Sequence, residues 1–222
     1  IIPTGFTVTL NVAGNVNSID VQGTSIFNMN TSFTFADNST FGPGTTLNWN
    51  SSTLNGAGAT LTNSGTILIG TTNVFLGSGT TLTNNGNIEF IGNGDVFISA
   101  DGILNNTATG IIDFQTDGSG ITQFGSGVNL LTNSGLIKTS FTTADPSDQA
   151  TISSEFKNND GTIQVEVGIL NLSNGAINSI ELTDGVYNVF ADATLDFDSL
   201  VTLSGTLSGT LTGNLNWRST VY

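Results

Sequence analysis

Leu61-Thr-Asn63-Ser-Gly65-Thr-Ile67 decides the fold, because the phrase keeps returning along the chain. It recurs as Leu82-Thr-Asn84-Asn-Gly86-Asn-Ile88 and as Leu131-Thr-Asn133-Ser-Gly135-Leu-Ile137. Looser copies are Leu104-Asn-Asn106-Thr-Ala-Thr-Gly110-Ile-Ile112 and Phe156-Lys-Asn158-Asn-Asp-Gly161-Thr-Ile163. The steps between copies are roughly 20–27 residues, a solenoid period. In a solenoid each turn buries its apolar face only against its neighbours.

The residues after each Gly sharpen this reading. The triplets are Ile67-Leu68-Ile69, Ile88-Glu89-Phe90, Ile112-Asp113-Phe114, Ile137-Lys138-Thr139 and Ile163-Gln164-Val165. First and third positions are apolar, Thr139 excepted, while the middle position varies freely. That is the period-two alternation of a strand with one face buried. A second strand follows each triplet, as in Val74-Phe75-Leu76, Val96-Phe97-Ile98 and Ile121-Thr-Gln-Phe124, and later at Ile152 and Ile169-Leu170. A third leads into the next Leu-x-Asn phrase. Three short strands per period predict an all-β fold, a right-handed parallel β-helix (β-solenoid) of about ten turns. At about 4.8 Å per turn the rod is roughly 48 Å long. The repeated Asn beside the corner is expected to stack as an amide ladder.

A single β-helix domain is expected over residues 1–222, as a fragment of a longer repeat protein, since the chain begins Ile1-Ile2-Pro3 without Met. Residues 1–45 read as less regular early turns, and 142–149, with Pro146, as a loop excursion. Leu47-Asn48-Trp49 and Leu215-Asn216-Trp217 raise the prospect of a longer tandem repeat.

Composition narrows the chemistry. The 222 residues carry a net charge of −14, only three Lys or Arg, and no His or Cys. Nucleophilic triads, thiol catalysis and His/Cys zinc sites therefore have no residues to work with. Nucleic-acid binding is disfavoured, because neutralising phosphates needs basic side chains and none precedes Lys138. No apolar run is long enough for a membrane-spanning helix, so membrane insertion is not expected. Charged residues are only 9% of the chain, but 37% are hydrophobic, 14 of them Phe, so a packed core is expected rather than disorder. Lyase chemistry on acidic polysaccharides needs converging basic groups, and Lys138, Lys157 and Arg218 fall on different segments.

Carboxylates remain. Asp196-Phe197-Asp198 puts two on one strand face, a spacing that fits calcium oxygens or an acid–base pair, with a plain polar face as the simpler reading. If turns stack in register, Glu89 lies below Asp113 and Asp113 below Lys138, and Glu89 with Asp113 forms a second candidate calcium site. No other cofactor is implied. Trp49, flanked by Asn48 and Asn50, is the candidate for stacking on a sugar ring; the competing reading has Trp49 filling the core.

The Leu-Thr-Asn-x-Gly-x-Ile phrases, with Leu47-Asn48-Trp49-Asn50 and Leu54-Asn-Gly56-Ala-Gly58 between them, resemble the β-helical repeats of large secreted bacterial surface proteins. Filamentous-haemagglutinin-like adhesins and the giant adhesins of Bacteroidetes are the types in question. The opening Ile2-Pro-Thr-Gly5-Phe-Thr-Val8-Thr-Leu10 is similar to the start of such modules. The resemblance implies a secreted, cell-surface or extracellular stalk or adhesin segment without catalytic activity. Its expected partners are other segments of the same chain or fibre, and surface glycans. A carbohydrate-binding module is the alternative, with a polysaccharide-degrading enzyme behind it.

Overall fold

The computed structural model describes residues 1–173 and 179–218; the rest of the expected 1–222 domain lies outside the described residues. It is a right-handed parallel β-helix with three sheets of nine, ten and nine strands. The coil count is about nine, close to the ten expected. The first sheet runs from Thr7–Leu10 to Val186–Val189 and the second from Gly14–Val16 to Asn214–Trp217. The third runs from Asp20–Val21 to Val201–Ser204. Every strand pair is parallel, each strand bonding to its counterpart one coil away, as in Thr66↔Asn87 and Asn87↔Ile111.

The repeated phrase is the corner between the third and first sheets. Thr60–Asn63 ends one strand, Ser64 and Gly65 make the turn, and Thr66–Ile69 begins the next. Ile67, Ile69, Ile88, Phe90, Ile112, Phe114, Ile137, Ile163 and Val165 are all at most 2% exposed and belong to one core. Thr139, the polar exception, is also fully buried, and its hydroxyl donates to Val167 O at 2.8 Å.

The Asn of the phrase forms the expected ladder, and forms it inside. Asn63, Asn84, Asn106, Asn133 and Asn158 are completely buried. Each Nδ2 donates to the Oδ1 of the next coil's Asn, at 2.8, 2.8, 2.7 and 2.7 Å. Asn158 Nδ2 ends the run on the Tyr187 hydroxyl at 2.8 Å. The ladder also holds the corner: Asn63 Oδ1 accepts from Gly65 N at 3.1 Å, and Nδ2 reaches Asn87 O at 3.1 Å. The glycine of the phrase is needed for close approach, not for a left-handed backbone. A Cβ on Gly65 would collide with Thr45 O, one on Gly86 with Gly65 O, and one on Gly135 with Gly110 O.

Coil length rises to a maximum in the middle of the rod and shortens again, to 21 at Leu182–Leu203. In-register partners are 19 residues apart at Thr9–Asn28 and 20 at Asn28–Asn48. The Asn ladder then steps by 21, 22, 27 and 25. Residues 1–45 thus form short coils of the same three-sheet plan. The 142–149 excursion lies between strands Leu136–Thr139 and Gln149–Ser153, and Gln149 already belongs to the second of these. The tandem-repeat expectation does not hold: Trp49 sits in the first sheet and Trp217 in the second, so they are not equivalent positions.

Candidate functional site

Trp49 is fully buried, between Met29 and Ile69 in register, with Nε1 3.4 Å from Ser52 O. It offers no ring face to a sugar, which corrects the stacking expectation. The cause is strand parity: Trp49 is two residues from buried Leu47 and so shares its inward face. Asn48 and Asn50 point outward and are tied to the coil below. Asn48 Nδ2 donates to Asn28 Oδ1 at 2.6 Å, and Asn50 Nδ2 to Asn30 Oδ1 at 2.8 Å.

The outward column of the first sheet stacks as expected: Leu68, Glu89, Asp113, Lys138 and Gln164 are successive register partners. Both Asp113 oxygens are engaged. Oδ1 accepts from Ser140 Oγ at 2.6 Å, and Oδ2 faces Lys138 Nζ at 3.2 Å and Gln115 Nε2 at 3.1 Å. Glu89 is held more loosely, with Gln115 Nε2 and Asn87 Nδ2 each at 3.5 Å. Lys138 and Gln115 thus already supply the donors that offset the two neighbouring carboxylates.

Asp196 and Asp198 share an outer face, with Phe197 turned inward between them, but differ in environment. Asp198 is exposed, whereas Asp196 is 4% exposed, with Oδ2 2.9 Å from Arg218 Nη2. A guanidinium at that distance opposes a second cation. Asp196 Oδ1 and, on the adjacent strand, Asn171 Oδ1 are buried without a hydrogen-bond partner. Among the described residues no three His, Cys, Asp or Glu side chains cluster to hold a metal.

The basic residues do not converge. Lys138 is paired with Asp113, and Arg218 with Asp196. Lys157 lies 3.2 Å from Glu181 and 3.6 Å from Glu155. The Glu181 hydrogen bond is the main cause that raises Lys157 above the ordinary lysine value, and it holds the ammonium charged.

One feature escaped the sequence reading. The solvent face of the second sheet carries three phenylalanines from three coils. The Phe75 and Phe97 rings stack at 5.1 Å with 24° between planes. Phe124 meets both edge-on, at 5.4 and 5.6 Å, and is 55% exposed. The signal was available, since Phe75 and Phe97 are the middle residues of Val-Phe-Leu and Val-Phe-Ile triplets whose outer members are buried.

No family model, curated protein or solved structure matches this chain. Its solenoid architecture therefore rests on its own strand register and core.

Proposed function

We propose that this chain is a structural module of a bacterial surface protein: a rigid, secreted, non-catalytic β-helical segment that spaces or presents a binding region away from the cell. The observation that supports this reading best is the continuity of the three sheets. Parallel pairing in the second sheet passes from Gly14–Val16 to Asn214–Trp217, across ten strands. Such a stack is about 43 Å long. Its coils are joined by a buried amide ladder as well as by backbone bonds. The outer faces are polar and largely uncharged, and the three basic residues are absorbed in ion pairs. Partners of the same kind, further coils of the same fibre, fit the apolar residues near the two ends, Phe6 at one and Leu211 and Leu215 at the other.

Two measurements test this. Spin labels at exposed Thr9 and Thr202 should give one narrow distance with an axial component of about 40 Å; a broad distribution would sink the rigid spacer. Antibodies against the rod should label intact cells of the source organism. Labelling only after permeabilisation, or turnover of a polysaccharide by the pure protein, would overturn the surface or non-catalytic part.

A further inference from the structure

Outward rings cost hydration on a solvent face, and on the strands of the second sheet they gather in one place. The register partner of Phe75 in the coil below is Thr53, and that of Phe97 in the coil above is Thr122, followed by Ser153. Polar residues therefore suit the column except where Phe75, Phe97 and Phe124 gather. Two carboxylates bracket the rings. Asp95 opens the Phe97 strand on the same face, two residues away, a separation of about 6.5–7 Å. Asp101 lies in the corner after that strand, its Oδ1 fixed by Val128 N at 2.8 Å.

The surroundings are of one sign. Residues 1–137 contain acidic side chains and no Lys or Arg, so no positive charge from this part of the chain answers Asp95 or Asp101. Burial pushes the Asp95 carboxyl up from its ordinary value, and no nearby cation offsets this.

We propose that the Phe75–Phe97–Phe124 cluster, with Asp95 and Asp101 at its edges, is a binding site for an arginine-bearing basic peptide segment of a partner protein. Charge complementarity selects this occupant. A guanidinium is planar, lies flat on an aromatic ring and pairs with a carboxylate at the same time. An acidic partner is repelled by the surrounding field, and a neutral apolar one gains nothing from the two acids. The exposed ring of Phe124 supplies the accessible face, and the stacked pair beneath it fixes that ring's orientation.

Fluorescence polarisation of the whole chain with a fluorescein-labelled tri-arginine peptide, at about 150 mM salt, tests the site. The peptide should bind. Phe124→Ala and Asp95→Asn should each weaken binding about two- to five-fold. Asp37→Asn, which removes an exposed acid on an earlier coil, should leave it unchanged. Phe124 is more than half exposed, so its truncation leaves the core intact, and circular dichroism checks this. Absence of binding overturns the proposal. So does equal weakening by Asp37→Asn and Asp95→Asn with no effect of Phe124→Ala, which would mean a general acidic field. A neutral oligosaccharide that binds the parent and is lost in Phe124→Ala, with the arginine peptide unaffected, would also overturn it and make the rings a sugar platform.

Discussion

Asn106 is the middle rung of the buried ladder: its Nδ2 donates to Asn133 Oδ1, and its Oδ1 accepts from Asn84 Nδ2. Removing the amide takes one partner each from Asn84 Nδ2 and Asn133 Oδ1, which keep their contacts to Ile111 O and Gly135 N. It also removes the bond to Leu136 O, in a dry core where an unmade hydrogen bond costs about 1–3 kcal/mol. Asn106→Ala should therefore destabilise the fold by about 3 kcal/mol in urea titration, with no change in the denaturant slope. At the ladder's ends the equivalent positions are apolar, Phe41 below Asn63 and Leu182 above Asn158, so an orphan amide is avoided by changing residue type. Tyr187 takes the last Asn158 donor. Burial pushes its phenol up to about 12, partly offset by that hydrogen bond. A group whose folded pKa is raised favours folding in its protonated form. The contribution is whole below the unfolded tyrosine value of about 10 and is lost as pH rises through about 12. Phenolate absorbance should show Tyr187 titrating near 12 in the folded protein, and stability should fall between pH 10 and 12. Tyr187→Phe should flatten that fall; an unchanged pH dependence would disprove the assignment.

At the scale of the strand, the inner column carries the stability. Phe90 and Phe114 stack at 4.6 Å in successive coils with no exposed surface. Phe90→Ala should cost about 3–5 kcal/mol from lost burial and the cavity left behind; a loss below about 1 kcal/mol would mean that neighbouring coils close the gap. This column was legible because one alternation repeats in five phrases, so chance agreement at any single strand is averaged out. The Glu89–Asp113–Lys138 register was legible for the same reason. The two readings of Trp49, sugar platform or core filler, are separated by its parity with Leu47, which places the indole inside. The ring cluster was missed for a related reason. Phe75 lies in a strand of apolar residues, where residue type alone does not show that the middle place of its triplet faces solvent. Phe124 sits three residues after inward Ile121, so parity turns it outward too. What alternation could not give was the meeting of the three rings, because that depends on inter-coil register across corners of unequal length. The buried role of the Asn-x-Gly corner was hidden likewise, since turn propensity explains the same two residues equally well.

For the whole molecule, a stack of coils leaves two unpaired ends. Among the described residues strand Thr7–Leu10 has no partner below it, and Phe6 beside it is 57% exposed. At the other end Leu211 and Leu215 are 52% and 43% exposed, beside a cavity of about 230 Å³ lined by Leu182, Tyr187, Phe197 and Trp217. Trp217 continues the core stack, its ring 4.6 Å from Phe197, but its Nε1 is buried without a hydrogen-bond partner. Parallel edges with unmade backbone bonds and apolar side chains are templates for another strand, and charged residues on such edges suppress pairing. The two ends differ from each other, so one copy's last coil meets another's first in a head-to-tail contact that extends the rod without closing. The 222-residue chain should therefore lengthen with concentration, its sedimentation coefficient rising in the micromolar range. The double variant Leu211→Lys and Leu215→Lys alters exposed positions only, so the fold should survive and the molecule should stay monomeric. Identical association in parent and variant would place the contact elsewhere on the rod, and a monomeric parent at every concentration would mean that these ends do not pair in solution.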